Sequence, residues 1–305
     1  MVGIGGYGRR VPVLKGVYVP LVTPFDERGA VDLGCVQRLA VDCLDAGATG
    51  IVALATTGEA TSLTDRERDA IVAACAEVCA DRSAQLLVGA GTNDTRTTIA
   101  RHEALADVPN VTASLAVVPY YVRPSEAAIV AHFAAVAEHS PVPIVIYNIP
   151  YRTGRGLGAT ALLELAETDN IVGVKQAVGG IDTDTLTLLA DSPAEFAVLG
   201  GDDPYLFPII LMGGAGAISA SAHLATDTFT TMIHDGLAGR VTQGRQHAEA
   251  LLPLVLALFA EPSPAVIKAV LHAHRRLPTP DVRMPLTNAS TSAVRHALET
   301  TKNVR

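Results

Sequence analysis

An α/β fold, a (β/α)8 TIM barrel with an additional C-terminal helical segment, is what this sequence predicts, on three observations. Eight short runs rich in Val, Ile and Leu recur along the first 219 residues. Most are apolar throughout rather than alternating, as parallel strands buried on both faces must be. Longer stretches with helical periodicity separate them at roughly 30 residues per unit, the count and spacing of a closed barrel rather than of a doubly wound sheet.

The predicted strands are Val17–Thr23, Gly50–Ala55, Gln85–Ala90, Ala113–Val118, Pro143–Tyr147, Ile171–Lys175, Phe196–Leu199 and Ala215–Ser219. The predicted helices between them are Leu33–Ala46, Asp65–Ala80, Thr95–Ala106, Ser125–His139, Ala159–Glu167, Asp182–Ala190 and Pro204–Met212. Thr64 and Glu67 have the spacing of a capping box that opens the second of these. About 85 residues follow the eighth strand and read as helices over His223–Gly239, Val241–Phe259, Pro264–Arg275 and Thr287–Thr301. They predict a segment packed beside the barrel. The organisation expected is an N-terminal extension over 1–15, the barrel over 16–222, and the last barrel helix with the helical segment over 223–305. The run Gly3-Ile-Gly5-Gly6-Tyr7-Gly8 mimics a dinucleotide fingerprint, but no strand precedes it, so it reads as a flexible end.

The chain has 305 residues, 49% hydrophobic and 18% charged, enough to bury a large core and too apolar for a disordered chain. Its net charge of −8 speaks against a nucleic-acid partner. Leu251–Ala260 is apolar but contains Pro253 and is half of the roughly twenty residues a membrane span needs. With no apolar leader at the start, the reading is a cytoplasmic protein with no membrane partner. Cys35, Cys43, Cys75 and Cys79 fit a reducing compartment. Cys75 and Cys79 share a helix face but lack the further ligands of a metal site. His132, His139, His223, His272 and His274 lie in helical stretches with no nucleophile motif beside them.

In a barrel, chemistry belongs at the C-terminal ends of the strands. The second strand ends in Thr56-Thr57-Gly58-Glu59, two hydroxyls and a glycine that suit a carboxylate or phosphate, or simply a polar turn. The fourth ends in Pro119-Tyr120-Tyr121. The fifth ends in Tyr147-Asn148-Ile149-Pro150-Tyr151-Arg152, a phenol able to shuttle protons and a guanidinium able to grip a carboxylate. The sixth carries the strongest signal. Arginines outnumber lysines 19 to 4, the lysines being Lys15, Lys175, Lys268 and Lys302, and only Lys175 ends a buried apolar strand. Desolvation there favours the neutral amine, a nucleophile toward carbonyls; the competing reading is a lysine that snorkels out of the mouth. The seventh ends in Gly200-Gly201-Asp202-Asp203, and glycines frame the eighth, which ends at Ile218-Ser219. The acid pair fits Mg²⁺ or a helix start, and no third acid stands at another strand end to favour the metal.

Thr56-Thr57-Gly58-Glu59, Pro119-Tyr120-Tyr121, Tyr147-Asn148-Ile149-Pro150 and Val172-Gly173-Val174-Lys175 occur together in the order and spacing of the dihydrodipicolinate synthase / N-acetylneuraminate lyase family, which the chain resembles from about Gly16 to Thr287. Arg152-Thr153-Gly154, Gly201-Asp202-Asp203, and Glu261-Pro262-Ser263-Pro264 with Lys268 are similar to the synthase branch. The resemblance implies a Schiff-base lyase of lysine and diaminopimelate biosynthesis that condenses pyruvate with L-aspartate 4-semialdehyde. Lys175 would form the imine and Tyr147 would transfer protons. Thr57 would link Tyr147 to Tyr121, with Tyr121 reaching into a neighbouring subunit. Thr56 and Thr57 would hold the pyruvate carboxylate, Arg152 that of the semialdehyde, and Gly201 and Ile218 would line the pocket. No metal or cofactor is implied beyond the covalent imine, and the assembly implied is a homotetramer, a dimer of dimers. A sugar-acid or N-acetylneuraminate lyase is the alternative within the same chemistry, and a silent small-acid-binding barrel the alternative outside it.

The chain departs from the family pattern at Ala55, where glycine is usual, at Val118 for threonine, at Gln176 for glutamate, and over Asp107–Val111 for a small Gly-Ala turn. At the family's lysine-feedback site, Asn93 and Tyr120 match while Asp65, Arg68 and Thr97 do not, which implies weak or absent inhibition by L-lysine.

Overall fold

In the computed structural model, which describes residues 12–302 and Val304, eight parallel strands close into a barrel in the order β1 to β8. They are β1 (Gly16–Pro20), β2 (Gly50–Ala53), β3 (Gln85–Gly89), β4 (Val111–Val117), β5 (Ile144–Asn148), β6 (Ile171–Gln176), β7 (Ala197–Gly200) and β8 (Gly216–Ile218). The predicted fold class and all eight strands are therefore present, with ends moved by one to three residues. The glycine-rich run at residues 3–8 lies outside the described residues.

The helices are α1 (Leu33–Asp45), α2 (Asp65–Asp81), α3 (Thr95–Glu103), α4 (Glu126–His139), α5 (Pro150–Thr153) and α6 (Ala159–Ala166). They continue as α7 (Thr183–Asp191), α8 (Leu206–Leu211), α9 (Thr226–Leu237), α10 (Val241–Leu258), α11 (Ala265–Ala273) and α12 (Thr291–Thr301). Several starts are set by side chains. Asp32, Thr64, Asp94, Ser125, Asp182 and Ser290 each accept a backbone N–H of the following first turn. Each such cap stabilises its helix by about 1 kcal/mol. The predicted capping box at Thr64 is complete, with Glu67 accepting the Thr64 N–H in return.

Three predicted helices differ in form. The third ends in a 3₁₀ turn over Ala104–Asp107, the seventh opens with one over Asp203–Tyr205, and His223 lies in a 3₁₀ turn, Ser221–His223, ahead of α9. Short turns of this kind carry the weakest periodic signal. Pro253 is accommodated inside α10.

The chain divides into two compact units. In the one containing Leu87–Ile218, β4 to β8 pair in parallel register, and α4, α6 and α7 pack on them. The core there includes Ile129, Phe133 and Val136 against Ile144, Ile146 and Val174. Every residue of β5, β6 and β7 is buried, which explains why their sequences are apolar up to the polar ends at Asn148, Lys175 and Gln176. In the unit built on Gly16–Leu86 and the chain from Ser219 onward, β1 pairs with β2, and α1, α2 and α9 to α12 supply the helical layer. All four cysteines are free and buried. Among the described residues no helix is long and apolar enough to cross a membrane.

Candidate active site

The C-terminal ends of β5 and β6 bring the two strongest sequence candidates together. Tyr147 and Lys175 are register partners, both nearly inaccessible, and the Lys175 Nζ lies 4.3 Å from the centre of the Tyr147 ring. A lysine that snorkels out of the mouth is thereby set aside: this one is buried with its nitrogen over an aromatic face.

Because side chains alternate along a strand, the neighbours Asn148 and Gln176 turn to the opposite side. There they form a satisfied polar network. The Asn148 amide nitrogen donates to the Leu157 carbonyl and to Gln176 Oε1, both at 3.0 Å, while its oxygen accepts the Leu157 N–H at 3.1 Å. Gln176 Nε2 donates to Thr185 Oγ1 at 3.1 Å, and that hydroxyl donates to Asp182 at 2.7 Å. A glutamate at position 176 could accept from Asn148 but could not donate to Thr185. The amide found here uses both of its ends.

At the end of β7, Gly201 allows backbone to lie directly against Lys175. A Cβ at this position would sit 2.9 Å from the Lys175 Cε, 2.9 Å from its Cγ and 2.9 Å from the Ala177 Cβ. Asp202 follows and accepts the Gly179 N–H at 2.6 Å. Burial pushes its carboxyl up, while that N–H and the Lys175 charge pull it back. The reading of Asp203-Pro204 as a helix start holds, in 3₁₀ form. Among the described residues there is no group of three His, Cys, Asp or Glu side chains placed to hold a metal ion. Ile218 ends β8 and is buried.

Arg152 sits on α5, which Pro150 opens and Gly154 closes with a φ of 71°. The guanidinium is exposed and stacks 4.8 Å from the centre of the Tyr151 ring. Tyr121 is 87% exposed, with a φ of 70°. It makes no side-chain hydrogen bond among the described residues, so a relay through it is not assembled within one chain.

The turn after β2 is a 3₁₀ helix over Thr56–Gly58. The Gly58 N–H is bound to the Ala55 carbonyl at 3.0 Å, and the Glu59 N–H to the Thr56 carbonyl at 3.0 Å. What remains for a ligand are the hydroxyls of Thr56 and Thr57 and the Thr57 N–H, none of which is bound to another described residue. Glycine fits closely at position 58, where a Cβ would lie 3.0 Å from the Leu21 carbonyl oxygen and displace it by a few tenths of an ångström.

Beneath this turn lies a group that sequence reasoning missed. Lys268 is completely buried and donates to Glu59 Oε1 at 2.7 Å, and the Arg283 N–H donates to Glu59 Oε2 at 2.7 Å. Burial lowers the Lys268 ammonium and the Glu59 charge raises it again. Neither burial nor an aromatic face singles out Lys175, since Lys268 Nζ lies 4.1 Å from the centre of the Phe25 ring; what separates the two lysines is the carboxylate hydrogen-bonded to Lys268. The scarcity of lysines and the glutamate closing the Thr-Thr-Gly turn were the available signals.

The chain matches the Dihydrodipicolinate synthetase family over residues 13–303. It is 38% identical to the 4-hydroxy-tetrahydrodipicolinate synthase of Moorella thermoacetica across 90% of this chain and 92% of that one. It is 37% identical to the enzyme of the same name from Neisseria meningitidis serogroup C across 94% and 98%. Among solved structures, it superposes on the Thermotoga maritima dihydrodipicolinate synthase with a TM-score of 0.92, at 29% identity and with 96% and 99% of the two chains covered. The chloride-inhibited Acinetobacter baumannii dihydrodipicolinate synthase, solved with pyruvate, gives 0.90 at 30% identity, covering 95% and 99%.

Proposed function

From the premise that this chain belongs to the dihydrodipicolinate synthetase family, we infer that it condenses pyruvate with L-aspartate 4-semialdehyde to 4-hydroxy-tetrahydrodipicolinate, in lysine and diaminopimelate biosynthesis. The observation that carries this reading is Lys175, buried at a strand end over the Tyr147 ring with Gly201 against its stem. The neutral Lys175 amine attacks the ketone carbon of pyruvate, and water leaves to give an imine. The imine draws electrons from the adjacent methyl group, which loses a proton and becomes an enamine. The enamine carbon bonds to the aldehyde carbon of the semialdehyde, whose oxygen takes up a proton. The substrate's own amine then attacks the imine carbon, and ring closure expels Lys175.

Tyr147 serves the proton transfers, being the titratable side chain beside the Lys175 nitrogen. The unspent hydroxyls of Thr56 and Thr57, with the Thr57 amide, hold the pyruvate carboxylate. Arg152 holds the carboxylate of the semialdehyde, and Gly201 and Ile218 line the pocket. The covalent imine is the only cofactor chemistry in this reading. Tyr121, extended from the chain at 87% exposure, completes the Thr57–Tyr147 relay of a neighbouring copy in a homotetramer built from tight dimers. Free thiols suit a cytoplasmic setting. Asp65, Arg68 and Thr97 at the feedback positions support weak or absent inhibition by L-lysine; Arg68 is bound to the Ala60 carbonyl and Thr97 to Asp94.

The test is borohydride reduction in the presence of pyruvate, followed by peptide mass spectrometry. A reduced pyruvyl adduct on Lys175 is expected; its absence sinks the aldolase reading.

A further inference from the structure

We propose that Glu59, clamped by Lys268 and Arg283, is a positioning residue that sets the Thr56-Thr57 turn for the pyruvate carboxylate. The proposal rests on the reading of that turn given above and adds to it the device that holds the turn still. Glu59 sits in the left-handed region, with φ 53° and ψ 35°, where a residue with a Cβ is held only if its surroundings over-determine it. Its N–H closes the Thr56–Gly58 turn, and its carbonyl accepts the Ser62 N–H at 2.9 Å, so any rotation at Glu59 moves both flanking turns.

The surroundings do over-determine it. One carboxylate oxygen takes Lys268 Nζ and the other takes the Arg283 N–H, each at 2.7 Å. Lys268 and Arg283 are located in turn by the Phe25 ring, at 4.1 Å and 4.5 Å from its centre. The Arg283 side chain binds the Ser62 carbonyl at 2.9 Å and both oxygens of Glu67, which opens α2. From the other side, the Thr23 hydroxyl donates to the Gly58 carbonyl at 2.7 Å.

Filling this space would not require charges. A pair of apolar side chains of similar volume packs as well as a buried ion pair, often with equal or greater stability. What an apolar pair cannot supply is direction: two donors on one carboxylate fix Glu59, and with it the Thr56 carbonyl that the Glu59 N–H binds. The ion pair therefore acts on ligand geometry.

The experiment compares Lys268→Met, Glu59→Gln/Lys268→Met and the wild type. Three quantities are read: melting temperature, KM for pyruvate against kcat, and borohydride labelling at saturating pyruvate. Lys268→Met leaves the Glu59 charge unpaired and is expected to lower the melting temperature. The double variant removes both charges and recovers most of that loss. In both, KM for pyruvate rises tenfold or more, kcat at saturation stays within about threefold, and Lys175 still labels. A folded double variant with the wild-type KM overturns the proposal. Should neither lysine variant fold, Glu59→Gln keeps one acceptor for Lys268 Nζ but cannot also accept the Arg283 N–H: a raised KM for pyruvate supports the clamp, and an unchanged KM overturns it. No adduct on the wild type overturns the aldolase reading and the clamp with it, whereas an adduct on the wild type with unchanged KM in the variants overturns the clamp alone.

Discussion

The Lys175 nitrogen faces the ring of Tyr147 from 4.3 Å, so the phenol presents its face to the amine while its hydroxyl remains available for other partners. The two functions of Tyr147 can be separated on that basis. Tyr147→Phe keeps the ring and should keep the pyruvyl adduct, while turnover falls about 10²- to 10⁴-fold, the usual contribution of a positioned proton donor. Lys175→Arg keeps a positive charge but cannot form an imine, and borohydride should label nothing. An adduct on Lys175→Arg, or undiminished turnover in Tyr147→Phe, would contradict the assignments.

Gly201→Ala tests how tightly the stem of Lys175 is held. The added methyl meets Lys175 and Ala177 at 2.9 Å, inside contact distance. Overpacking of this kind costs about 1–3 kcal/mol. Here the most yielding neighbour is Lys175 itself, so the rate of imine formation should fall more than the melting temperature does. Wild-type adduct kinetics would show that the glycine is spacing and nothing more.

Arg152→Leu separates the second substrate from the first. The side chain is exposed, so stability should change by no more than about 0.5 kcal/mol. Adduct formation with pyruvate should persist, while kcat/KM for the semialdehyde falls about 10- to 100-fold, the worth of a charge-assisted contact. Retained semialdehyde turnover in this variant would point to a different carboxylate partner.

Acid should destabilise the fold ahead of any carboxylate titration. Burial depresses His223 to about 4, with the Ala220 carbonyl opposing and the Arg276 charge assisting. Burial likewise depresses His132 to about 4, with the His102 charge assisting and Asp94 opposing. An unfolded chain protonates these rings near pH 6.5. Between pH 6.5 and 4 the unfolded state thus binds more protons, and stability falls as pH falls, by on the order of 3 kcal/mol for a fully buried ring. His223 is held neutral by geometry: its Nε2 accepts the Val22 N–H at 3.2 Å and its Nδ1 faces the Ala220 carbonyl at 2.9 Å. The Arg283 hydrogen bonds hold Glu67 down to about 2, so loss of that pair adds to the decline only below about pH 4.5. Denaturant melts at pH 7.5, 5.5 and 4.5 should show the decline, and a flat profile above pH 5 would refute it.

The thiols should be silent in the native state. Burial raises all four, Cys43 and Cys79 to about 11 and Cys75 further still. Ellman's reagent should find no fast-reacting thiol in the folded protein and four after denaturation; one or more reacting within seconds in native buffer would refute this.

Much of the molecule was legible in its sequence because the barrel strands are buried on both faces. Ile171 to Lys175 could be read as a strand because four apolar or small residues in a row suit a segment buried on both faces, and the strand is found buried throughout. The same logic failed where the signal depends on distant pairing. Lys268 lies in an ordinary amphipathic stretch, 209 residues from Glu59, and no local pattern announces that the two will meet. The polar turn at Thr56–Gly58 was legible, but its 3₁₀ form was not, because a 3₁₀ turn and an open loop have the same composition. Gln176 read as a departure from the family pattern; its use of both amide ends became apparent only with Thr185 in place.

The Gln176 amide gives the polar chain behind β5 and β6 a single direction. The hydrogen bonds from Asn148 through Gln176 and Thr185 to Asp182 all point the same way, each group donating to the next. Two of the three donors are carboxamides, which do not readily pass a proton along. The helix-facing side of β5 and β6 therefore offers no ready proton path along these bonds.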